Sequence, residues 1–321
     1  MITRTLDYPP LKFLIAALIV LGATICIYTP NYYLLKMGAR FAGVIMFGYL
    51  LLGMIFLILR QQGLMITSLI CCAGLALFLK NASYADLKHA AMTSSETLKV
   101  SHYNVSSISD PAVAIDEILA SGADIVSLQE VTPDWEYLLQ ETLGSKYPHK
   151  RSVVRFDPFG LALFSKHPIT TLDTFTVGDV PNLVGIIKMT ESEQEIQIIA
   201  AHTSPPLFST AYSTMQDQVR SIGEKAQAAT LPCLVVGNFN APPWWQEIQS
   251  LRETGNLKDS RRSATFGLTE IFQSPGDYIL HSPQLKCVDF QNVYSPDNSQ
   301  LGISGTYQIK WEDLQDEEIL Q

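Results

Sequence analysis

Acidic side chains are nearly absent from the first quarter of the chain. Residues 1–80 contain one acid, Asp7, against six bases. Residues 81–321 hold 30 of the 31 acids and 16 of the 22 bases, so a front of net charge +5 precedes a remainder of net charge −14. Charged residues make up only 17% of the whole chain, whereas a soluble domain carries about 25%. This uneven shortage argues against a single domain that is soluble throughout.

Cysteine is also scarce, with five residues in 321. Cys26, Cys71 and Cys72 lie in apolar stretches near the N-terminus. Cys233 and Cys287 lie in the later part, where one bridge between them is the only disulfide available. No group has the spacing of a zinc site. The sequence therefore predicts neither a disulfide framework nor a cysteine metal centre.

In place of charge, the front has three apolar runs, Phe13–Tyr28, Phe41–Leu59 and Gln61–Leu79. A spanning helix needs about 20 apolar residues, so residues 1–80 are predicted to form a membrane anchor of three transmembrane helices. A secretory signal peptide is the alternative for the short first run, although no small-x-small cleavage site follows it. Basic residues flank the runs on both sides, so the positive-inside rule leaves the orientation open.

The apolar runs contain no charged side chain, which argues against a transport path through them. Their small residues instead predict close helix packing or oligomerisation. The glycines concerned are Gly22, Gly43, Gly48, Gly53 and Gly74.

Beyond the anchor, residues 81–97 are small and polar and are predicted to be a linker. Residues 98–311 alternate short apolar runs with longer amphipathic ones, as in one α/β domain, and residues 312–321 are an acidic tail. The predicted strands are Leu98–Tyr103, Ile125–Gln129, Leu161–Phe164, Val184–Lys188, Ile196–Ala200, Leu234–Gly237, Tyr278–Leu280, Leu285–Phe290 and Tyr307–Trp311. The predicted helices are Ala112–Ala120, Pro133–Leu143, Ala211–Ala229 and Trp244–Glu253.

Polar side chains stand where several of these strands stop. They are Asn104, Gln129 with Glu130, His202, Asn238 with Asn240, and Asp277, which directly precedes a strand. Ligand-binding groups collect at strand ends because the sheet fixes their backbone while loops leave room above. Taken singly, such a residue is more often a turn former or helix cap. Their order and spacing together favour a functional site.

These segments resemble the endonuclease/exonuclease/phosphatase superfamily. The matching segments, in the order of that family, are SHYNVSS, ADIVSLQEV, FGLALFSKHPI, IIAAHTSPP, CLVVGNFNAPPW, LRETGNLKDS, SATF and GDYIL. The resemblance covers residues 98–311 and implies a four-layered α/β sandwich, in which two mixed sheets pack face to face with helices outside. It also implies phosphoester hydrolysis assisted by a divalent cation, usually Mg²⁺. Glu130 and Asn104 would be the metal ligands.

The same resemblance assigns the remaining catalytic roles. His202 and Asn240 would bind the scissile phosphate by hydrogen bonds that strengthen as charge develops. The family's aspartate at the position of Asn238 would orient or deprotonate the attacking water. Asp277 would act with a histidine supplied near the C-terminus.

Two parts of that pattern are missing. Asn238 has a carboxamide, which cannot take a proton from water. Aligning Ser304 with the terminal Ser-Asp-His motif puts Gly305 and Thr306 at its Asp and His, and no histidine follows His281. A lost acid–base group costs about 10²–10⁴-fold in rate.

Two hypotheses therefore stay open. The chain is either a phosphoesterase of weakened activity or a pseudoenzyme that binds a phosphorylated ligand or a partner protein. In the first case another group replaces the missing histidine, and the candidates are His281, Asp289 and His167.

The net charge of the later part and the predicted membrane anchor limit the classes of molecule that the protein is expected to bind. A net charge of −14 over residues 81–321 repels nucleic acid, which needs a basic face. The anchor favours the membrane bilayer itself and a lipid headgroup or other phosphorylated small molecule at its surface. Trp244 and Trp245, just after Asn240, are interpreted either as a headgroup contact or as interior packing at a helix start.

Overall fold

The computed structural model describes residues 8–29, 31–83, 88–92, 96–108, 110–261, 276–296 and 299–309. The described residues divide into two compact units. The first contains the residues up to position 83 together with Ala241–Gln249, and the second contains the rest. The predicted tail, 312–321, lies outside the described residues.

The first unit is helical. Its elements are α1 (Pro9–Tyr28), α2 (Tyr33–Ala39), α3 (Ala42–Ile58) and α4 (Gln62–Ser83). By length and hydropathy α1 and α4 can each cross a membrane, and α2 with α3 form a pair bent by 63° that passes the same test as one broken span. The described residues thus offer two spans, or three if the bent pair is one. The predicted linker begins inside α4, since that helix continues to Ser83.

A buried ion pair lies in the first unit. Lys36 of α2 places its Nζ 3.0 Å from Glu247 Oε2, and the two side chains are only 1% and 8% exposed. The same Nζ lies 5.6 Å from the ring centroid of Trp245, and Trp244 Nε1 donates a hydrogen bond to the Ala39 carbonyl at 3.0 Å. Both tryptophans are buried. Of the two interpretations of this pair, interior packing is therefore correct.

The second unit contains two six-stranded sheets. Their strands are β1 (Leu98–Asn104), β2 (Ile125–Gln129), β3 (His149–Val153), β4 (Leu161–Ser165), β5 (Ile169–Val177), β6 (Val180–Lys188), β7 (Glu195–His202), β8 (Cys233–Asn238), β9 (Lys258–Asp259), β10 (Asp277–His281), β11 (Leu285–Tyr294) and β12 (Gln300–Ile309). The first sheet has the order β11-β12-β1-β2-β4-β3, and the second has the order β5-β6-β7-β8-β10-β9. The pairs β1/β2 and β7/β8 are parallel and all others are antiparallel.

Apolar side chains of both sheets pack in one core, which includes Val100 and Ile125 of the first sheet and Ile198 and Val236 of the second. The other face of the first sheet packs in a separate cluster with Ile118, Leu139 and Leu143. The helices of this unit are α5 (Pro111–Ser121), α6 (Pro133–Leu143), α7 (Ser209–Gln227) and α8 (Gln246–Thr254), the last beginning in the first unit. The predicted sandwich of two packed mixed sheets with helices is confirmed.

Local sequence explains where these helices start. Asp110 Oδ1 accepts a hydrogen bond from Ala112 N at the start of α5, and a proline follows as the first helical residue. Thr132 caps α6 in the same way, again with proline next. Each cap satisfies a backbone donor that has no partner in the first helical turn.

All nine predicted strands are present, and three strands were not predicted. The missed strands are β3, β5 and β9. β3 and β5 are edge strands without a buried side chain, so they lack the apolar run that marks a buried strand. The last strand begins at Gln300, earlier than the predicted start at Tyr307.

Candidate functional site

The candidate residues meet at one end of the two sheets. Asn104 and Gln129 are in register at the ends of the parallel strands β1 and β2. His202 and Asn238 are in register at the ends of β7 and β8. Asp277 starts the antiparallel strand β10 directly opposite Asn238. The ends of β1, β2, β7 and β8 and the start of β10 therefore lie at the same end of the two sheets, which we call the site edge.

The Gln129 side chain joins the two sheets beneath this edge. Its Nε2 donates to the Ala201 carbonyl, and its Oε1 accepts from Asn238 N at 3.0 Å. Gly237 is required for this approach, because a Cβ at that position would lie 1.7 Å from the Ala201 carbonyl oxygen. A Cβ there would also lie 2.7 Å from Gln129 Nε2, so the glycine of the Gly-Asn-Phe-Asn motif leaves the room that the Gln129 amide occupies between the sheets.

Glu130 and Asn104 form the first half of the site. Asn104 Nδ2 donates to Glu130 Oε1 at 2.7 Å, while Asn104 Oδ1 accepts from the backbone and hydroxyl of Ser106. Glu130 has φ of 62°, a conformation that costs free energy in a non-glycine residue and is concentrated at functional sites. The carboxylate is thus held in place by its neighbour and remains half-buried at the edge.

Asn238 and Asn240 form the second half. Asn238 Oδ1 accepts from Asn240 N at 2.8 Å, and Asn240 Nδ2 donates to the Thr203 carbonyl at 2.7 Å. Asn240 also has a positive φ, of 53°. The loop after β8 is therefore fixed to the loop after β7.

His202 is buried in the site and kept neutral. Burial lowers its pKa from 6.5 to about 4, against the opposing charges of Glu130 and Asp277. Its ring packs 5.7 Å, centroid to centroid, from Phe159. Its Nδ1 is buried and makes no hydrogen bond within the described residues. A neutral imidazole with an unused nitrogen is suited to donating to or accepting from a ligand oxygen.

A second histidine, His102, belongs to the site and was missed from the sequence. Its Nε2 lies 3.7 Å from Asp277 Oδ1, and its Nδ1 lies 3.3 Å from Ser127 Oγ. Burial alone would raise the pKa of Asp277, but His102, Arg261 and the Asn238 side chain together lower it below its ordinary value. The signal available in the sequence was the period of two along β1, which puts His102 on the same face as Asn104.

The residues aligned with the terminal motif lie away from this edge. Thr306 pairs with Lys99 and Gly305 with Val100, near the start of β1, whereas Gly302 pairs with Tyr103 near its end. The part of β12 that approaches the site is therefore Gln300–Gly302, which contains neither Asp nor His. The expectation that Gly305 and Thr306 occupy the positions of the family's Asp and His is therefore wrong. Residues Gln300–Gly302, which do approach the site, do not supply the histidine either.

The three replacement candidates also lie elsewhere. His281 ends β10, at the opposite end from Asp277. Asp289 pairs with Thr306, at the far end of the first sheet. His167 follows β4, and its Nδ1 is 2.9 Å from Thr190 Oγ1. None of them reaches the edge that carries Asn104.

The donor set suits a hard cation held by few protein ligands. No group of three or more His, Cys, Asp or Glu side chains is placed to hold a metal ion in the described part of the chain. Glu130 supplies one carboxylate and Asn104 a carboxamide beside it. Mg²⁺ is typically bound through one or two carboxylates with several waters, so these residues fit Mg²⁺ and do not fit a zinc centre.

Residues 101–304 match the family model described as Endonuclease/Exonuclease/phosphatase family. Members of that family generally use divalent metal ions. No curated protein matches the sequence.

Many solved structures share the fold. One is an endonuclease/exonuclease/phosphatase from Beutenbergia cavernae, 17% identical with a TM-score of 0.55, over 66% of this chain and 72% of that one. Another is the human Nocturnin catalytic domain, 16% identical with a TM-score of 0.51, over 70% and 97%. A third is ANGEL2, a 2′,3′-cyclic phosphatase, 14% identical with a TM-score of 0.52, over 66% and 96%.

Proposed function

Because the chain belongs to the endonuclease/exonuclease/phosphatase family, we propose that it is a membrane-anchored, Mg²⁺-dependent phosphoester hydrolase with a reduced catalytic apparatus. The observation that supports the proposal is the cluster of polar side chains at one end of the two sheets. The cluster contains the Asn104–Glu130 pair, His202, the Asn238–Asn240 loop and Asp277. Its relatives by fold include a 2′,3′-cyclic phosphatase.

Each group has a role that its environment supports. Glu130 and Asn104 would hold Mg²⁺, which when bound supplies charge neutralisation at the phosphate. His202 and Asn240 would donate hydrogen bonds to the non-bridging oxygens, His202 through Nδ1 in the tautomer that carries the proton on that nitrogen. Asn238 can orient a water but not deprotonate it, so turnover is expected to be slow relative to a site with an aspartate there.

We assign the substrate class from the membrane anchor and the loops beside the site. Phe156 is 94% exposed and lies on the loop whose Phe159 packs on His202. Leu207 and Phe208, 74% and 58% exposed, lie on the loop after β7. Exposed apolar side chains near a polar site favour an amphiphilic ligand, so we propose a lipid headgroup or another phosphorylated compound at the bilayer surface. The net charge of −14 over residues 81–321 disfavours nucleic acid.

The test is a hydrolysis assay on the full chain in liposomes, with water-soluble and lipid phosphoesters, in Mg²⁺ or in chelator. Glu130→Gln should abolish the Mg²⁺-dependent rate. Glu193→Gln is a matched control, because Glu193 has nearly the same φ, 60°, but is exposed and precedes the start of β7, at the opposite end of that strand from His202. Equal rates in Glu130→Gln and wild type would refute the proposal.

Asn238 also supports a second candidate function, that of a pseudoenzyme which binds a phosphorylated ligand or partner without cleaving it. The assay separates the two when combined with a binding measurement. Saturable, Mg²⁺-dependent binding of a phosphorylated lipid that Glu130→Gln removes, with no product released, would favour the pseudoenzyme.

A further inference from the structure

His102 is a fully buried histidine that the roles given above do not use. It lies on β1 on the same face as Val100, whose side chain is part of the core between the two sheets. Its Nδ1 lies 3.3 Å from Ser127 Oγ on the neighbouring strand β2. The ring is therefore attached to its own sheet and directed towards the other.

On that other sheet it meets Asp277. Nε2 of His102 and Oδ1 of Asp277 are 3.7 Å apart, and neither atom makes a hydrogen bond within the described residues. Both atoms are buried. Burying a polar nitrogen and a carboxylate oxygen without a partner is costly, so the contact that reduces the cost is the one between them.

The geometry of Asp277 indicates what the contact does. Its Oδ1 is buried, yet the side chain as a whole is 22% exposed. The other carboxylate oxygen, Oδ2, is therefore the one available to the site. Asp277 also lies directly opposite Asn238 on β8, where the family's water-orienting carboxylate has become a carboxamide.

We propose that His102 is the positioning residue of Asp277, holding one carboxylate oxygen from the first sheet so that the other meets the attacking water. His102, which lies on β1, thus occupies the position beside Asp277 that the family resemblance assigns to a histidine near the C-terminus. This inference rests on the proposed function.

The test uses two replacements in the full chain. His102→Phe keeps the ring volume and removes the nitrogen, and His102→Gln keeps an N–H donor near the position of Nε2. We expect His102→Phe to lower kcat by about 10²-fold with little change in KM, the scale expected for a misplaced reacting group. His102→Gln should recover most of that loss.

His281→Phe is the control for replacing a buried histidine, since His281 lies at the other end of β10. It should keep a kcat close to wild type. Equal kcat in His102→Phe and His281→Phe would overturn the proposal, as would a His102→Gln variant no better than His102→Phe. A matched loss of folded protein, followed by near-UV circular dichroism, would assign the defect to folding and also overturn it.

A second measurement keeps the inference separate from the proposed function. In the full chain in detergent micelles with ¹⁵N-labelled histidine, Asp277→Asn should shift the His102 ring resonances, and Asp289→Asn should not. A wild type that hydrolyses nothing refutes the proposed function. An unchanged His102 spectrum in Asp277→Asn refutes the pairing itself.

Discussion

Asn238 and Asp277 lie directly opposite each other on β8 and β10, and the Asn238 side chain, together with His102 and Arg261, lowers the pKa of the Asp277 carboxyl group below its ordinary value. The carboxamide therefore does two things at once: it removes a base from the site and it stabilises the carboxylate that remains.

Asn238→Asp should consequently destabilise the Mg²⁺-free protein. The substitution places a second carboxylate directly opposite that of Asp277, at a cost of about 1–3 kcal/mol in the free energy of unfolding at neutral pH. Denaturant unfolding in chelator measures it. Asn256→Asp, in an exposed turn, is the control and should change stability much less. An Asn238→Asp variant as stable as the wild type would contradict this account of the pair.

Gly305 is packed too closely to accept a side chain. A Cβ at this position would lie 2.3 Å from the Tyr307 hydroxyl oxygen, which is itself 2.7 Å from Ser260 Oγ. Gly305→Ala should cost about 1–3 kcal/mol through overpacking. Because Tyr307→Phe removes the nearest atom, the double variant should lose less than the sum of the single variants. Additive losses in the double-mutant cycle would contradict this account.

The folding stability of the second unit should depend on His202 in mildly acidic solution. Its folded pKa, about 4, is below its ordinary 6.5, so the unfolded chain binds the proton first as pH falls. The stability due to a neutral His202 is present above about pH 6.5 and is lost as pH falls towards 4, by up to about 3 kcal/mol. Unfolding of the Mg²⁺-free protein across this range should show the slope, and His202→Asn should reduce it. An unchanged slope would exclude His202 as its source.

Lys36 and Glu247 should behave as a coupled pair in the first unit. Removing either partner leaves a buried charge alone, so Lys36→Met and Glu247→Met should each cost about 3–5 kcal/mol in stability. The double variant should recover most of the loss. The exposed pair Arg220–Asp217, 67% and 57% exposed, is the control and should show less than about 1 kcal/mol of coupling. Additive losses in the Lys36→Met and Glu247→Met double variant would refute the predicted coupling of the buried pair.

Much of the site could be predicted from the sequence because its residues lie in short motifs at the ends of apolar strands. Asn104, Glu130, His202, Asn238 and Asp277 each follow or precede an apolar strand, and the structure brings these strand ends to one edge. The alternation of apolar and polar residues carries this information, since the strand ends follow from it.

His102 could not be identified in the same way. Its partner Asp277 lies on another sheet, and their contact depends on how the two sheets pack face to face. Spacing along the chain does not encode that distance. The register of β12 with β1 could not be predicted for a related reason. Gly302, not Thr306, pairs with Tyr103, and the sequence alone does not determine the register of a long strand that has no turn or distinctive residue pattern to define it.

The ion pair of Lys36 and Glu247 also constrains the order of events during biosynthesis. About 210 residues separate the two partners in the chain, and ribosomes add about 5–20 residues per second. Lys36 is therefore added to the chain some 10–40 seconds before Glu247. During that interval the nascent helices carry an amine without its carboxylate partner, so the buried ion pair can form only after residues 86–240 of the second unit have been synthesised.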